Sequence, residues 1–403
     1  MKILLVADGR SPITHGWAST LKTAGFDVVL VSTFICPPVH GIKNAGVIPA
    51  AFSSVAGSQV GSRKSNGSNQ SGSLISRFRN LFMLGRYWLG PATLPESRRV
   101  FLEILEKEQP DIVHALRIPF EGMVSRITPP EIPFVVSIWG NDLTLHAHGS
   151  PFMGYETRQT LKRADGLMAD ASRDLRLALD WGLKPDVPAV CFPGGGGIDL
   201  QTITDAVDAD IPLPVDLPLG DPVVINPRGF RPGSVRNDTF FRSIPLILEE
   251  IPETIFVCVG MADQPEAMEW VEKLDLTRSV RLLPFLKQED LWRLFRRSTV
   301  SMSISQHDGT PNSLLEAMAL GCYPVVGNIE STREWITDGQ NGRLVKPDDE
   351  NGAARAVIEA LKKGELVKTA ALLNRQIISD RVDRDSLAGQ MTGYYQTILR
   401  KFE

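Results

Sequence analysis

The chain has few cysteines, no long apolar run and no excess of positive charge, and each shortage excludes a class of protein. Its four cysteines are scattered and form no CxxC pair, so we expect neither a disulfide framework nor a zinc site. No apolar run approaches the ~18 residues that a membrane-spanning helix needs. A net charge of -4 gives no general attraction to nucleic acid. We therefore expect a cytoplasmic protein that binds neither a metal nor nucleic acid.

The beginning of the chain also lacks a dinucleotide-binding fingerprint. Residues 2–8 are predicted to form a buried strand, a loop follows through Gly16, and a helix over 17–24 leads to a second strand over 26–32. This order is typical of a doubly wound α/β sheet. NAD binding would require G-x-G-x-x-G in the first loop, which offers only Gly9 and Gly16. We expect no NAD and no other cofactor.

What the chain does contain is a stretch over 305–347 in which a loop, a short helix and a buried strand follow one another. Asp308-Gly309 lies in the loop, and Pro311 suits the first turn of the helix. The unpaired amides and the dipole of such a helix start form an anion site. The carboxylates of Asp308 and Glu316 flank it. This pattern suits a ligand that is anionic in the middle and rich in hydroxyls at both ends, as a nucleotide diphospho-sugar is.

Each part of this stretch has a purely structural interpretation when it is taken alone. Ser313-x-x-Glu316 is also a capping box, in which Glu316 would satisfy backbone N–H groups at the helix start. Asp308-Gly309 is a common turn. The functional interpretation therefore depends on the ordered set of residues over the whole stretch.

That ordered set resembles the donor-binding motif of the retaining glycosyltransferases of GT-B fold, family 4. The matching residues are Asp308-Gly309, Leu314-Leu315-Glu316-Ala317-Met318-Ala319, Gly321, Pro324-Val325-Val326, Glu334-Trp335-Ile336 and Asn341-Gly342. One position departs from the family pattern, because Asp308 stands where the family usually has Glu. The shorter side chain keeps the acceptor chemistry of the carboxylate and changes its reach.

The resemblance implies two Rossmann-like, doubly wound α/β domains that face each other across a cleft. It implies transfer, with retention and without a metal, from a UDP- or GDP-linked sugar to a hydroxyl of a glycan, a lipid-linked glycan or a small molecule. Such reactions belong to polysaccharide, glycolipid or glycoconjugate biosynthesis. The resemblance assigns catalysis to Asp308, Asp142 and Arg228. It assigns donor binding to Gly16, Arg228, Arg236, Leu283, Asp308, Gly309, Thr310, Pro311, Asn312, Ser313, Leu314, Leu315 and Glu316.

Two other family positions are filled differently here. The family has an Arg and a later Lys that contact the donor diphosphate; Arg228 matches the Arg, and Arg231 and Arg236 are the candidates for the Lys. Trp139 stands where a His is usual, which leaves the backbone carbonyl to stabilise positive charge on a sugar ring. Asp142 is predicted to orient the acceptor or its own loop, with an Asx turn as the structural alternative.

At 403 residues the chain is long enough for two or three domains with separate cores. We predict an acceptor-side domain over 1–200, a linker over 201–222 and a donor-binding domain over 223–383. A last helix within 384–403 is predicted to cross back onto the first domain, as in related folds.

Two segments of the first domain differ in composition from the rest. Residues 53–73 consist mostly of Ser, Gly, Asn and Gln and are predicted to form a mobile surface loop. Residues 74–89 combine arginines with aromatic and aliphatic side chains. A basic amphipathic helix of this kind can lie on an anionic membrane surface, which would make the protein peripherally membrane-associated. A core-packed helix with a solvated arginine edge is the commoner alternative.

Two other functions are compatible with the sequence. A GT-B epimerase acting on a UDP-sugar would need a different set of acid and base groups and no acceptor surface. A catalytically degenerate GT-B subunit would bind a nucleotide sugar or a partner without catalysis. Asp308, Trp139 and the missing Lys are compatible with this second alternative.

Overall fold

In a computed structural model of the protein, the described residues are 1–39, 41–50, 79–192, 195–231 and 233–403. They form two compact units: unit 1 is Met1–Gly197 with Arg384–Glu403, and unit 2 is Ile198–Asp383. Each unit has its own parallel sheet and its own hydrophobic core. The predicted α/β class is confirmed.

The strands are β1 (Lys2–Ala7), β2 (Asp27–Ser32), β3 (Lys43–Val47), β4 (Ile112–Ala115), β5 (Phe134–Ile138), β6 (Gly166–Ala169), β7 (Ala189–Cys191), β8 (Val223–Asn226), β9 (Ile255–Val259), β10 (Val280–Leu283), β11 (Val300–Ser303), β12 (Tyr323–Gly327) and β13 (Arg343–Val345). The helices are α1 (Pro12–Thr23), α2 (Arg79–Leu89), α3 (Leu94–Glu108), α4 (Met123–Ser125), α5 (Pro151–Arg163), α6 (Ser172–Asp180), α7 (Leu200–Asp208), α8 (Asn237–Glu250), α9 (Pro265–Lys273), α10 (Gln288–Arg297), α11 (Asn312–Ala319), α12 (Glu330–Arg333), α13 (Glu350–Lys362), α14 (Gly364–Val382) and α15 (Arg384–Leu399).

The order of the strands marks one position in each unit. Within the described residues, the sheet of unit 1 has the order β3-β2-β1-β4-β5-β6-β7, and that of unit 2 has the order β10-β9-β8-β11-β12-β13. Each order reverses once, between β1 and β4 in unit 1 and between β8 and β11 in unit 2. Ligands of open α/β sheets bind outside the carboxyl ends of the strands at such a reversal. Asp8 and Arg117 follow the first pair of strands, and Arg228 and Ser305 follow the second pair.

Two elements differ from the sequence-based expectation. Helix α1 begins at Pro12, so Gly16 lies inside a helix and not in the preceding loop; proline at the first helical position fits an early start. Helix α7 occupies the first part of the predicted linker over 201–222. Asp199 caps this helix by accepting from the amide of Thr202 at 2.8 Å. The side chain of Ile203, within the helix, is buried.

Two other expectations concern segments that are described only in part or not at all. The predicted surface loop over 53–73 lies outside the described residues, as does the beginning of the basic segment over 74–89. Of that segment the structure describes the backbone of α2 and the side chains from Met83 onward. Over the described ranges, none of the helices combines the length and the apolar character needed to cross a bilayer.

A buried polar network attaches α15 to the sheet of unit 1. Tyr395 Oη and His114 Nδ1 are 2.7 Å apart, and His114 Nε2 lies 2.8 Å from Ser137 Oγ. Burial lowers the pKa of His114 to about 3, so the imidazole is neutral at physiological pH. Trp17 packs edge-on against the same ring. Both ring nitrogens of His114 therefore have hydrogen-bond partners. The free-energy cost of burying this polar side chain is small for that reason.

Replacing Tyr395 by phenylalanine is expected to lower the free energy of unfolding by about 1–3 kcal/mol, because the buried Nδ1 of His114 loses its hydrogen bond. Urea unfolding followed by circular dichroism measures this change. Tyr155→Phe is the matched control, since Tyr155 is 58% exposed, and a change below ~0.5 kcal/mol is expected there. Equal stability of the two variants would show that the network does not stabilise unit 1.

Candidate functional site

The loops after β8 and β11 are joined to each other at the reversal point of the second sheet. Val235 and Ser305 form an antiparallel bridge. The amide of Gln306 donates to the carbonyl of Ser234 at 2.8 Å, and the hydroxyl of Ser234 donates to the carbonyl of His307 at 2.6 Å. These bonds bring side chains from the two loops together.

Arg228, from the loop after β8, forms an ion pair with Asp308, from the loop after β11. Ser305 Oγ lies 3.2 Å from Arg228 Nη1 and donates to Asp308 Oδ2 at 3.0 Å. The charged side chains are 8% and 13% exposed, so water screens the pair weakly. Ser331 Oγ donates to the backbone carbonyl of Asp308 at 2.9 Å and holds the loop that carries it.

A second guanidinium lies beside this pair. The positive charge of Arg228, followed by burial, lowers the pKa of Arg231 to about 10, and Asp308 opposes this shift. Arg231 therefore remains charged at neutral pH, and its charge interacts with those of Arg228 and Asp308, which are ion-paired with each other. Arg236 instead binds Asp238 through two hydrogen bonds of 2.8 Å. Of the two candidates for the family's Lys, Arg231 is thus the one placed with Arg228.

The start of α11 adds unpaired amides to the same loop. Pro311 is its N-cap residue, and no side chain caps the helix. The amides of Leu314 and Leu315 are bonded to the carbonyl of Pro311. Nothing among the described residues accepts from the amides of Asn312 and Ser313. With the helix dipole, these amides form a place for an anion.

Contacts from behind hold this loop in position. Trp335 Nε1 donates to Thr310 Oγ1 at 3.0 Å in a buried hydrogen bond. Gly327, at the end of β12, approaches the loop so closely that a Cβ atom there would lie 1.9 Å from the carbonyl oxygen of Ser305. A larger residue at Gly327 would displace the backbone that carries Ser305 and Asp308.

Glu316 lies further along α11 and is partly exposed. Its Oε1 accepts from Gln288 Nε2 at 2.9 Å. Burial raises the pKa of Glu316 to about 7, and the side chains of Trp292 and Gln288 oppose this shift. The capping box with Ser313 is absent from this helix start, because the Glu316 carboxylate is turned to α10. A partly ionised carboxylate in this position can accept hydrogen bonds from ligand hydroxyls.

The end of β10 carries Leu283, one of the predicted donor-binding residues, and leads to an exposed aromatic ring. Leu283 is buried, and its carbonyl accepts the amides of Met261 and Ala262 at 2.8 and 3.0 Å. Phe285, two residues later, is 81% exposed, and its ring lies against Gly260, where a Cβ atom would be 2.9 Å away. A large apolar ring left in solvent but held against backbone is suited to stacking on a flat ligand. In the sequence, the signal for this surface is Phe285, an apolar residue just beyond the end of a strand.

Two predicted site residues lie in unit 1 and have structural contacts there. Asp142 is fully buried; Arg117 Nη2 donates to its Oδ1 at 2.9 Å, and the amide of Ile118 donates to its Oδ2 at 3.0 Å. Asp142 therefore orients the loop after β4. A Cβ atom at Gly16 would lie 3.2 Å from the carbonyl oxygen of Gly195, so Gly16 allows two backbone segments to approach closely.

The site also bears on metal binding. In the part of the chain that the structure describes, no three His, Cys, Asp or Glu side chains are grouped as ligands for one metal ion. The positive charge at the reversal point of the second sheet is supplied by Arg228 and Arg231.

Two doubly wound units, with this site at the reversal point of the second sheet, define the GT-B class. The solved structure of HepE from Anabaena, in complex with UDP and glucose, is similar to this chain with a TM-score of 0.69. The likeness covers 98% of this chain and 100% of HepE at 16% sequence identity. At that identity it shows the fold.

Sequence comparison identifies a glycosyltransferase domain in the second unit. The model of the family "Glycosyl transferases group 1" matches residues 221–374. A phosphatidyl-myo-inositol mannosyltransferase from Mycolicibacterium smegmatis is 26% identical over 159 residues, which are 39% of this chain and 40% of that protein. An N-acetyl-alpha-D-glucosaminyl L-malate synthase from Bacillus anthracis is 22% identical over 314 residues, or 74% of this chain and 77% of that protein. The chain thus has the GT-B fold, and its second unit matches the group 1 glycosyltransferase domain over residues 221–374.

Proposed function

We propose that the protein transfers a sugar from a UDP- or GDP-linked donor to a hydroxyl acceptor, with retention of configuration. The observation that carries this proposal is the site in unit 2, where the Arg228–Asp308 ion pair, with the charge of Arg231 nearby, lies beside a helix start whose first amides are unpaired among the described residues. HepE is described with UDP and glucose, which favours a UDP-linked donor here. The nucleotide sugar is a co-substrate, and the proposal includes no cofactor.

The donor diphosphate is placed at the two guanidiniums and at the amides of Asn312 and Ser313. Negative charge grows on the diphosphate as the bond to the sugar breaks. Preorganised guanidinium and amide donors stabilise that charge without reorganisation. In this proposal they supply the stabilisation that a metal ion supplies in other transferases.

We propose retention because of how Asp308, the carboxylate assigned to the sugar, is held in this site. Asp308 is bound to Arg228 and Ser305, so its carboxylate is positioned to accept a sugar hydroxyl and not to attack the anomeric carbon. The acceptor oxygen then bonds to the anomeric carbon on the face from which the diphosphate leaves. The acceptor proton passes to an oxygen of the departing phosphate, which balances the transfer.

The nucleoside end is assigned to Glu316 and Phe285. The carboxylate of Glu316, held by Gln288, accepts the ribose hydroxyls. The exposed ring of Phe285 provides a face for the base. Leu283 is the last residue of β10, and its carbonyl supports the neighbouring loop by accepting the amides of Met261 and Ala262.

The acceptor and its location are also proposals. We propose a glycan, a lipid-linked glycan or a small hydroxyl compound as acceptor, within polysaccharide, glycolipid or glycoconjugate biosynthesis in the cytoplasm. One relative is named for phosphatidyl-myo-inositol and another for L-malate. On α2 the side chains of Leu84, Trp88 and Leu89 are 52%, 52% and 59% exposed, which supports a peripheral membrane contact through 74–89.

The test is a thermal-shift screen with UDP-, GDP-, ADP- and CMP-sugars, followed by donor-hydrolysis and transfer assays with the donor that binds. Stabilisation by a UDP- or GDP-sugar and transfer with retention are expected. Binding without turnover would instead support the degenerate subunit. Conversion of the donor sugar without an acceptor would support the epimerase.

The Glu316 assignment predicts that donor binding depends on pH. With a pKa of about 7, the carboxylate is roughly one-tenth ionised at pH 6 and nine-tenths ionised at pH 8. Since ribose hydroxyls donate to the ionised form, UDP affinity should rise up to ~10-fold over this range. Calorimetric titration of UDP measures the effect. Glu316→Gln should bind more weakly and lose most of this pH dependence; a wild-type slope in that variant would contradict the assignment.

A further inference from the structure

The reversal point of the first sheet collects charged side chains that the proposed donor site does not use. Asp8 follows β1, and Arg117 follows β4. Arg86 reaches the same place from α2, because its charge interacts with Arg117, Glu121 and Asp8. As in unit 2, this edge of the sheet is where a doubly wound fold binds its ligand.

Among the described residues, Arg86 is the guanidinium of this group that has a ring contact but no hydrogen bond or ion pair. Its guanidinium carbon lies 4.9 Å from the centre of the Phe120 ring. Within the described ranges Arg86 forms neither a hydrogen bond nor an ion pair. Burial, followed by the charge of Arg117, lowers the pKa of Arg86, and the charges of Glu121, Tyr87 and Asp8 oppose this shift. A partly enclosed charge without a counterion is costly unless a ligand supplies one.

The position of Arg86 is nevertheless fixed. The adjacent Tyr87 has its Oη 2.8 Å from His146 Nδ1, and its carbonyl accepts Ser150 Oγ at 2.7 Å. Burial, then Arg117 and Arg86, lower the pKa of His146 well below its ordinary value, so His146 is neutral. The helix end is therefore held in place at a point where the potential is positive.

The carboxylates nearby do not neutralise both guanidiniums. Asp8 is bound to Arg10 through hydrogen bonds of 3.0 and 2.9 Å. Asp142 is bound to Arg117 and to backbone. Arg117 Nε has no partner within the described ranges, so this guanidinium also keeps a free donor.

Glu121 is the remaining carboxylate of this group. Only one of its two oxygens has a hydrogen-bond partner among the described residues. The residue is 3% exposed; its Oε1 accepts from Thr33 Oγ1 at 2.9 Å, and its Oε2 has no partner in the part of the chain that the structure describes. Burial raises its pKa to about 7, against the opposing effect of Arg117. A carboxyl group in this state can donate a hydrogen bond to an incoming anion.

The backbone beneath Arg86 is strained. Phe120 has φ 70° and ψ -48°, values close to those of the rare γ-turn, and a side chain makes them unfavourable. Residues held in such conformations cluster at binding sites, where the surrounding structure enforces them. Here the strain places the ring of Phe120 under the guanidinium of Arg86.

We propose that Arg86 and Arg117 bind an oxyanion, a phosphate or a carboxylate, carried by the acceptor substrate. Two neighbouring guanidiniums, with donors that are free among the described residues, match the oxygens of such a group, and Glu121 adds a hydrogen-bond donor when its carboxyl group is protonated. This inference rests on the proposed function and narrows it, because it selects anionic acceptors over neutral ones.

The test is a titration of inorganic phosphate onto protein already saturated with UDP, followed by thermal shift, so that the donor site is occupied. Arg86→Met should weaken the phosphate response by ~10- to 100-fold, the loss expected for charge-assisted hydrogen bonds. Arg86→Lys should lie between this variant and the wild type. Arg99→Met, which removes an arginine 62% exposed on α3, is the control and should respond like the wild type.

The outcomes separate this proposal from the donor assignment. Because Arg86 has no ion pair to lose among the described residues, Arg86→Met should keep its melting temperature and its response to UDP. A phosphate response in Arg86→Met equal to that of the wild type would overturn the oxyanion site. If UDP stabilises none of the variants, the proposed function fails, and the same comparison of Arg86→Met with the wild type, made without UDP, still decides this site.

A second arm identifies the source of the anion. Co-sedimentation with phosphatidylcholine vesicles, with and without phosphatidylinositol, is compared between the wild type and Arg86→Met. Binding that requires both phosphatidylinositol and Arg86 supports the site with a lipid head group as its ligand. A response to free phosphate without such binding supports the site with a water-soluble anionic acceptor.

Discussion

Replacing Arg228 by alanine is expected to lower kcat/KM for sugar transfer by about 100- to 1,000-fold, because the leaving diphosphate loses a preorganised cationic donor. Arg228→Lys should recover part of the activity, since a point charge remains but bidentate contact does not. Steady-state kinetics with the donor found in the screen measures both. Arg355→Ala, at an arginine 73% exposed on α13, is the control and should leave kcat/KM unchanged.

The stability of Arg228→Ala must be measured beside its activity. Removing one partner of a buried ion pair costs about 3–5 kcal/mol, because the other charge stays behind. The double variant that also carries Asp308→Ala should recover much of that stability and none of the activity. Normal transfer by Arg228→Ala would contradict the donor site at the reversal point of the second sheet.

Replacing Asp308 by alanine is expected to lower kcat about 100-fold, because the sugar loses the hydrogen-bond acceptor that orients it for reaction. UDP affinity should change far less, since the diphosphate and nucleoside contacts remain. Asp308→Glu restores the residue usual in the resembled family and should retain more activity than Asp308→Asn, which removes the charge that pairs with Arg228.

Asp210→Ala, at an exposed position of unit 2, is the control for the Asp308 series. A parallel loss of UDP binding and kcat in Asp308→Ala would show that Asp308 supports the diphosphate site and not the sugar. In that case the assignment of this carboxylate to the sugar hydroxyls would be wrong.

Local pattern was sufficient for most of the fold. Buried apolar strands alternating with amphipathic helices predicted two doubly wound units, since parallel sheets are built from such repeats. The linker prediction over 201–222 missed α7, which depends on the cap at Asp199 and on the burial of Ile203. A short polar helix of this kind has too weak a period to stand out in a sequence.

The candidate site was predictable where its residues are consecutive. Asp308, Pro311 and Glu316 lie on one loop and one helix, so their spacing along the chain carries the information. The choice between Arg231 and Arg236 was not available from spacing, because both follow β8 on the same loop. The structure separates them through Asp238, which binds Arg236 and leaves Arg231 beside Arg228.

By itself, the sequence determined the α/β class, the motif over 305–347 and the resemblance to GT-B glycosyltransferases, because these depend on residues that are near neighbours in the chain. Only the tertiary structure decided which charges are paired: that Asp142 is buried with Arg117, and that Arg86 forms no ion pair within the described part of the chain. Compensation depends on the distances between segments that are far apart in sequence. Those distances are set by the packing of the sheets and helices as a whole.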